Sequence, residues 1–298
     1  MGTPQRAVPA RRRRALALAA LATTLAACTS NPQASPLSDT RPPTQSASSS
    51  SPTSSPARSA IWHPKPRLTW QWQLTEPVDT SVNAQVYDID GTENDGAVVA
   101  RLHTAGRKVI CYVNAGAYES FRPDASRFPA AVIGKSNGWP DERWLDIRQL
   151  RTLTPIMSAR FRACARKGFD GVEADNVDGY QNDSGFPLSA ADQLAYNRLL
   201  ASLAHADGLA IGLKNDLDQV PQLLPAFDFS VDEQCAEYSE CDRLKPFTDA
   251  GKAVFQVEYN LDLNQFCTET TALGLSSMRK NTKLDAARWP CPHEKPSG

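Results

Sequence analysis

Six short apolar runs in this chain end alike, each leading straight into ionisable or amide residues: Asp88-Ile89-Asp90, Tyr112-Val113-Asn114, Glu173-Ala174-Asp175-Asn176, Lys214-Asn215-Asp216, Asp232-Glu233-Gln234 and Glu258-Tyr259-Asn260. Charged groups beside buried strands cost desolvation energy, so six such endings call for a fold that gives them a common use. A parallel α/β barrel does this, because all its strands point the same way and their C-terminal ends meet at one rim. The flanking pattern agrees. Eight β-rich runs are expected as strands, at Thr69–Leu74, Ala84–Ile89, Lys108–Val113, Gly171–Ala174, Ala210–Leu213, Phe229–Asp232, Ala253–Val257 and, most weakly patterned, Leu275–Met278. Helical periodicity falls between them at Asp95–Thr104, Pro155–Arg166, Ala190–Ala206, Gln219–Leu224, Cys241–Asp249 and Leu263–Leu273. Gly106, Gly168, Gly208 and Gly251 stand where helices end before strands, the place of left-handed caps. These features predict an α/β fold, a single (β/α)8 TIM barrel over residues 61–298.

The rim is rich in Asp, Glu, Asn, Lys, Trp and Tyr and poor in His and nucleophilic Ser. That is the inventory of a sugar site, where one carboxyl protonates a leaving oxygen, a second serves the anomeric carbon, and aromatic faces hold rings. Asp175 and Glu233, ending the fourth and sixth expected strands, are the pair best placed to face each other across a barrel mouth. Other chemistries lack their signatures. Gly134-Lys135-Ser136 would end a phosphate loop, but Pro129 occupies the place of the required earlier glycine. No nucleophile elbow or dinucleotide fingerprint is present, and Asp175-Asn176-Val177-Asp178 lacks the rest of a calcium loop. Neither a cofactor nor a metal is expected.

The first sixty residues read differently. Arg11 to Arg14 precede an apolar run from Ala15 to Ala27, too short to span a bilayer, that ends in Leu25-Ala26-Ala27-Cys28. This ending resembles a bacterial lipobox, so residues 1–28 are expected to be a lipoprotein-type signal with Cys28 as the lipidated residue. Residues 29–60 are Ser, Thr, Pro and Gln with almost no large apolar side chain, the composition of a disordered linker. The expected location is extracellular, on the outer face of the membrane, with the lipid as the sole membrane contact. Of the 32 basic and 33 acidic residues, five arginines precede Cys28 and Asp39, Arg41 and Arg58 lie in the linker, so the remaining body has 25 basic and 32 acidic residues. A net charge of −7 argues against nucleic acid and suits a cationic substrate.

Six cysteines follow Cys28, and an even set in an exported domain reads as three disulfides. Fifteen pairings are open in principle. Cys235 with Cys241 is the close local pair, and Cys267 with Cys291 would staple the C-terminal segment, which leaves Cys111 with Cys164. A zinc site is the competing reading, but no Cys-x-x-Cys occurs and His63, His103, His205 and His293 stand far apart in sequence.

Several stretches resemble glycoside hydrolase family 114: Trp70-Gln71-Trp72-Gln73-Leu74, Val86 to Asp90, Val109 to Gly116, Trp139 to Arg148, Gly168 to Tyr180, Gly212 to Asp216, Glu233-Gln234-Cys235 and Phe255 to Tyr259. They run in order from about Trp62 to Cys291. The resemblance implies a TIM barrel, an endo-α-1,4-polygalactosaminidase activity on galactosamine-containing polysaccharide, and catalytic acids at Asp175 and Glu233. Around that pair, Asp88, Tyr112, Asn176, Asp178, Lys214, Asn215, Glu258 and Tyr259 are expected to line the sugar pocket, with Trp70 as a stacking platform. Trp139 and Trp144 are expected to be core aromatics of a long loop. Placement on the fourth and sixth strands further suggests a retaining enzyme, whose carboxyls stand roughly 5–5.5 Å apart, against roughly 6.5–9.5 Å for an inverting one. Two alternatives stay open: a carbohydrate-binding lipoprotein without turnover, and a glycosidase for another α-linked sugar.

Overall fold

A computed structural model describes residues 60–292. The signal segment, Cys28 and nearly all of the linker lie outside the described residues. Eight parallel strands curl into a barrel: Trp70–Gln73, Val86–Asp90, Lys108–Asn114, Gly171–Asp175, Ala210–Lys214, Phe229–Glu233, Val254–Glu258 and Ser276–Arg279. They are called the first to eighth barrel strands below. Most run one residue past their expected ends, so Asp175, Lys214, Glu233 and Glu258 are themselves strand residues rather than loop residues. Backbone pairing thus fixes the direction of these side chains.

The period of two along a strand sorts the residues into two shells. Trp70, Trp72, Val86, Ile110, Phe229, Val231, Phe255, Val257 and Met278 pack together inside the barrel. The alternate residues, including Tyr87, Ile89, Val109, Cys111, Val172, Ala174, Ile211 and Leu213, pack against the helices. Gly212 belongs where the inner layer is tightest, since a Cβ there would stand 2.2 Å from the Phe229 ring. The first and eighth strands meet through side chains: Trp70 Nε1 donates to Ser276 O at 2.8 Å and Lys280 Nζ to Gln71 Oε1 at 3.3 Å. A short antiparallel strand, Trp289–Pro290, covers the outer edge of the eighth.

The helices are α1 (Gly96–Thr104), α2 (Leu150–Lys167), α3 (Ala190–Ala206), α4 (Val220–Leu223), α5 (Lys245–Asp249) and α6 (Leu263–Ala272). Asp95 caps α1 by accepting from the amides of Ala97 and Val98, and Ser189 with Asp192 forms a capping box on α3. Gly106, Gly168, Gly208 and Gly251 all take positive φ, as their positions at helix ends require. One expected boundary is corrected. Pro155 does not start α2 but lies inside it, one turn past Leu150, because a face of Leu153, Ile156, Met157, Phe161 and Cys164 packs into the core. That burial outweighs the intrahelical hydrogen bond the proline forgoes.

An insertion between the third barrel strand and α2 was not expected. It forms a small antiparallel sheet of Ala117–Glu119, Glu142–Leu145 and Ile133–Ser136, in that order, with Glu119 opposite Glu142. Three disulfides join Cys111 to Cys164, Cys235 to Cys241 and Cys267 to Cys291. The first ties the third strand to α2, the second fastens the loop after Glu233, and the third ties α6 to the C-terminal segment.

Candidate active site

Inward-facing positions on successive strands carry the polar cluster. Two residues up from Ile110 is Tyr112, two up from Gly171 is Glu173 and then Asp175, two up from Gly212 is Lys214, and two up from Val231 is Glu233. Lys214 stands at the centre. Its Nζ lies 2.9 Å from Asp175 Oδ1 and 2.6 Å from Glu233 Oε2, and 5.3 Å from the centroid of the Trp72 ring. Both carboxyls have further donors. Tyr112 OH donates to Asp175 Oδ2 at 2.9 Å and Asn176 Nδ2 to the same oxygen at 3.1 Å, while Tyr259 OH donates to Glu233 Oε1. Burial pushes the Tyr112 phenol well up, with the Asp175 charge adding to it, so the phenol stays a donor.

The backbone just past each of these strands is unusual. Asn176, Asn215, Asp216 and Gln234 all have φ between 50° and 65°. Left-handed residues other than glycine carry a conformational cost, and their concentration directly after Asp175, Lys214 and Glu233 marks a functional rim. The turns have local uses. Asn215 Oδ1 accepts from the Glu233 amide at 3.0 Å, and the Asp175 carbonyl accepts from the amides of Ala115 and Gly116, each at 3.0 Å. A side chain at Gly116 would collide with the Asn176 carbonyl, at 1.6 Å from its Cβ.

A second layer lies beneath. Asp88 and Glu173 are fully buried, with Glu173 Oε1 4.0 Å from Lys214 Nζ. Burial raises both, Asp88 to about 7 and Glu173 well above the usual carboxylate range.

The cleft above has a volume of about 340 Å³. Trp72, Asp90, Tyr112, Asp175, Asn176, Lys214 and Glu233 line it from the barrel, and Glu119, Phe121, Arg122, Trp139 and Glu142 from the insertion, together with Thr282 to Leu284. Arg122 is held charged: burial alone would lower its pKa, but Glu119 and Asp90, 2.9 and 2.7 Å away, raise it.

Several expected lining residues lie elsewhere. Trp70 is buried in the lower barrel layer, 5.1 Å from the Phe255 ring, and Trp72, one step higher on the same inner face, takes its place in the cleft. Asp88 is in the layer beneath the cleft. Glu258 points away from the barrel interior, because it alternates with Phe255 and Val257; it accepts from the Ala236 amide at 2.9 Å, and burial pushes it up to about 7. Asp178 starts the 3-10 turn Gly179–Gln181, outside the cleft lining. Asn215 and Tyr259 reach the site by holding Glu233. Trp144 is core, as expected, but Trp139 is 41% exposed and in the cleft. Phe121 and Glu142 were missed; they sit on the insertion, Phe121 in a turn and Glu142 at the start of a four-residue strand too short to show a period in the sequence. Among the described residues no group of three or more His, Cys, Asp or Glu is arranged to hold a metal ion.

A family model for glycoside-hydrolase family GH114 matches residues 51–295. The crystal structure of Aspergillus fumigatus Ega3 in complex with galactosamine is 40% identical in sequence, covers 78% of this chain and 98% of its own, and superposes with a TM-score of 0.75. The glycoside hydrolase domain of PelA from Pseudomonas aeruginosa is 13% identical, with a TM-score of 0.59 over 74% of this chain and 97% of its own, a likeness of fold. A protein of Deinococcus radiodurans is 28% identical over 79% of this chain and 85% of its own length.

Proposed function

This chain belongs to glycoside hydrolase family GH114, and we propose that it cleaves chains of α-1,4-linked galactosamine internally, with Asp175 as nucleophile and Glu233 as acid and base. The observation that carries this reading is the single ammonium of Lys214 shared by both carboxyls. Contacts of 2.9 and 2.6 Å placed end to end reach about 5.5 Å, so one oxygen of each carboxyl comes no farther apart than that. One ammonium bridging both carboxyls supports a close pair, the arrangement of a retaining enzyme.

In the first step, an Asp175 oxygen bonds to the anomeric carbon as its bond to the glycosidic oxygen breaks, and Glu233 gives that oxygen its proton. In the second, Glu233 takes a proton from water, whose oxygen displaces Asp175. Lys214 and Tyr259 face the two oxygens of Glu233 and orient it; it carries a proton into the first step and regains one from water in the second. Tyr112 and Asn176 hold Asp175 in place by donating to its Oδ2. The galactosamine bound by Ega3 supports the substrate class, as does the acidic body of this chain. The reading is tested by incubating the protein with α-1,4-linked galactosamine polymer and with other α-linked polysaccharides. New reducing ends only from the first support it. Reducing ends from another polymer alone, or binding without cleavage, would replace it.

Export and anchoring are part of the same proposal. Three disulfides support an oxidising compartment, and Cys28 after its apolar segment supports a lipid tether on the outer face of the membrane. Changing Cys28 to Ala should release the protein from membranes.

A further inference from the structure

The turn from Asn137 to Glu142 brings an exposed indole and a carboxyl into the cleft together. Trp139 and Glu142 both line the cavity that holds Asp175 and Glu233. Positive φ at Gly138 (100°) and Asp141 (62°) folds the turn, and Asn137 ties it: its Oδ1 accepts from the Trp139 amide at 3.1 Å and its Nδ2 donates to Glu142 Oε2 at 2.9 Å. Asn114 Nδ2 holds the same oxygen at 3.1 Å, and Asn114 Oδ1 accepts from Asn176, which also reaches Asp175. Glu142 is thus set at a fixed distance from the reacting centre by two amides.

We propose that this turn is the part of the cleft that reads the amino group of the sugar, Trp139 covering the apolar face of the ring and Glu142 accepting the ammonium. The inference rests on the reading of the protein as a galactosamine-polymer hydrolase and adds the residues that select the free amine over its N-acetyl form. The charge pattern of the cleft argues for it. The cations that line the cavity are engaged with other carboxylates: Arg122 with Asp90 and Glu119, Lys214 with Asp175 and Glu233, and Lys283 with Glu76. Glu142 is held by neutral amides instead, which orient it without neutralising it. Burial pushes Glu142 up to about 7, and the charges of Glu119 and Asp175 push the same way. An arriving ammonium reverses that balance and pairs with the ionised form, whereas a neutral acetamide does not. An aromatic face beside a carboxylate is also the pairing that suits a ring apolar on one side and cationic at one substituent.

The test compares wild type with Glu142→Gln and Trp139→Ala on fully deacetylated and on N-acetylated α-1,4-linked galactosamine polymers, with galactosamine binding followed by tryptophan fluorescence. Loss of one charge-assisted contact should raise KM for the deacetylated polymer by about tenfold or more, with kcat changed much less, so that the preference for the free amine collapses. Glu142→Asp should recover part of that preference, and Trp139→Ala should raise KM on both polymers. If Glu142→Gln keeps the wild-type preference, or loses kcat equally on both polymers, the inference is overturned while the proposed activity stands. If wild type cleaves neither polymer the proposed activity falls, and the binding assay then decides the inference: weaker galactosamine binding by Glu142→Gln sustains an amine-reading site, and equal binding overturns it.

Discussion

The two walls of the cleft are built by different means. On the barrel wall, Asp175, Lys214 and Glu233 are the last residues of three adjacent parallel strands, are almost wholly buried, and hold one another through charged contacts below 3 Å. On the inserted wall, Phe121 is 59% and Trp139 41% exposed, and Glu142 is kept by side-chain amides where a turn enters a short strand. Strand pairing gives the first wall its precision, which chemistry needs, since small displacements of reacting groups cost large factors in rate. The second wall trades precision for surface, which suits recognition of a chain.

If that division of labour holds, the largest effects come from the barrel wall. Asp175→Asn and Glu233→Gln are each expected to lower kcat on galactosamine polymer by roughly a thousandfold or more, with circular dichroism unchanged. Near-normal turnover in either variant would remove that residue from the mechanism.

The barrel wall also leans on the covalent frame behind it. Replacing Cys111 and Cys164 together by Ser opens a tie spanning 53 residues between the third strand and α2. On the loop-entropy account this lowers stability by about 4 kcal/mol, read from denaturant unfolding under oxidising conditions. A loss well below 1 kcal/mol would show that strand pairing alone holds this wall.

Beneath the barrel wall, pH offers a finer probe. Asp88 has a folded-state pKa raised to about 7 by burial, above the usual carboxylate value, so its contribution to stability is fully present at pH below about 4 and is lost as pH rises through about 7. Wild type should therefore lose stability between pH 5 and 7 relative to Asp88→Asn, by an amount on the order of 1 to 3 kcal/mol, as seen in parallel melting curves. Parallel curves for the two proteins would show that burial does not raise Asp88 in the folded state. On the inserted wall the effect should be smaller still. Phe121→Ala removes an exposed ring and is expected to raise KM for long chains by roughly two- to tenfold, with kcat and fold intact. A loss of kcat instead would place the inserted wall in the chemistry.

The same contrast explains what could be read from the sequence. The strand endings carried the barrel, its eight strands and the meeting of Asp175 and Glu233 at one rim, because a period of two and a polar end are local properties. Depth along a strand is not local. Trp70 and Trp72 share a face and a residue type, and only the packing of Phe229 and Phe255 beneath decides which of them reaches the cleft. Glu258 ends its strand as Glu233 does, but its side chain has the opposite parity, and a shift of one residue in the expected strand boundary is enough to hide that. Residues 117–145 follow neither period for long enough to be placed, since short antiparallel strands, turns and two 3-10 segments alternate there. Their cleft residues could be found only after the fold had set them against the barrel mouth.

The measurement that tests the account most directly is the anomeric configuration of the sugar first released from α-1,4-linked galactosamine oligomer, followed by proton nuclear magnetic resonance before mutarotation. Asp175 as nucleophile, sharing Lys214 with Glu233, predicts that the α configuration of the substrate is retained in the first product. A first product in the β configuration would contradict it, and with it the nucleophile role of Asp175.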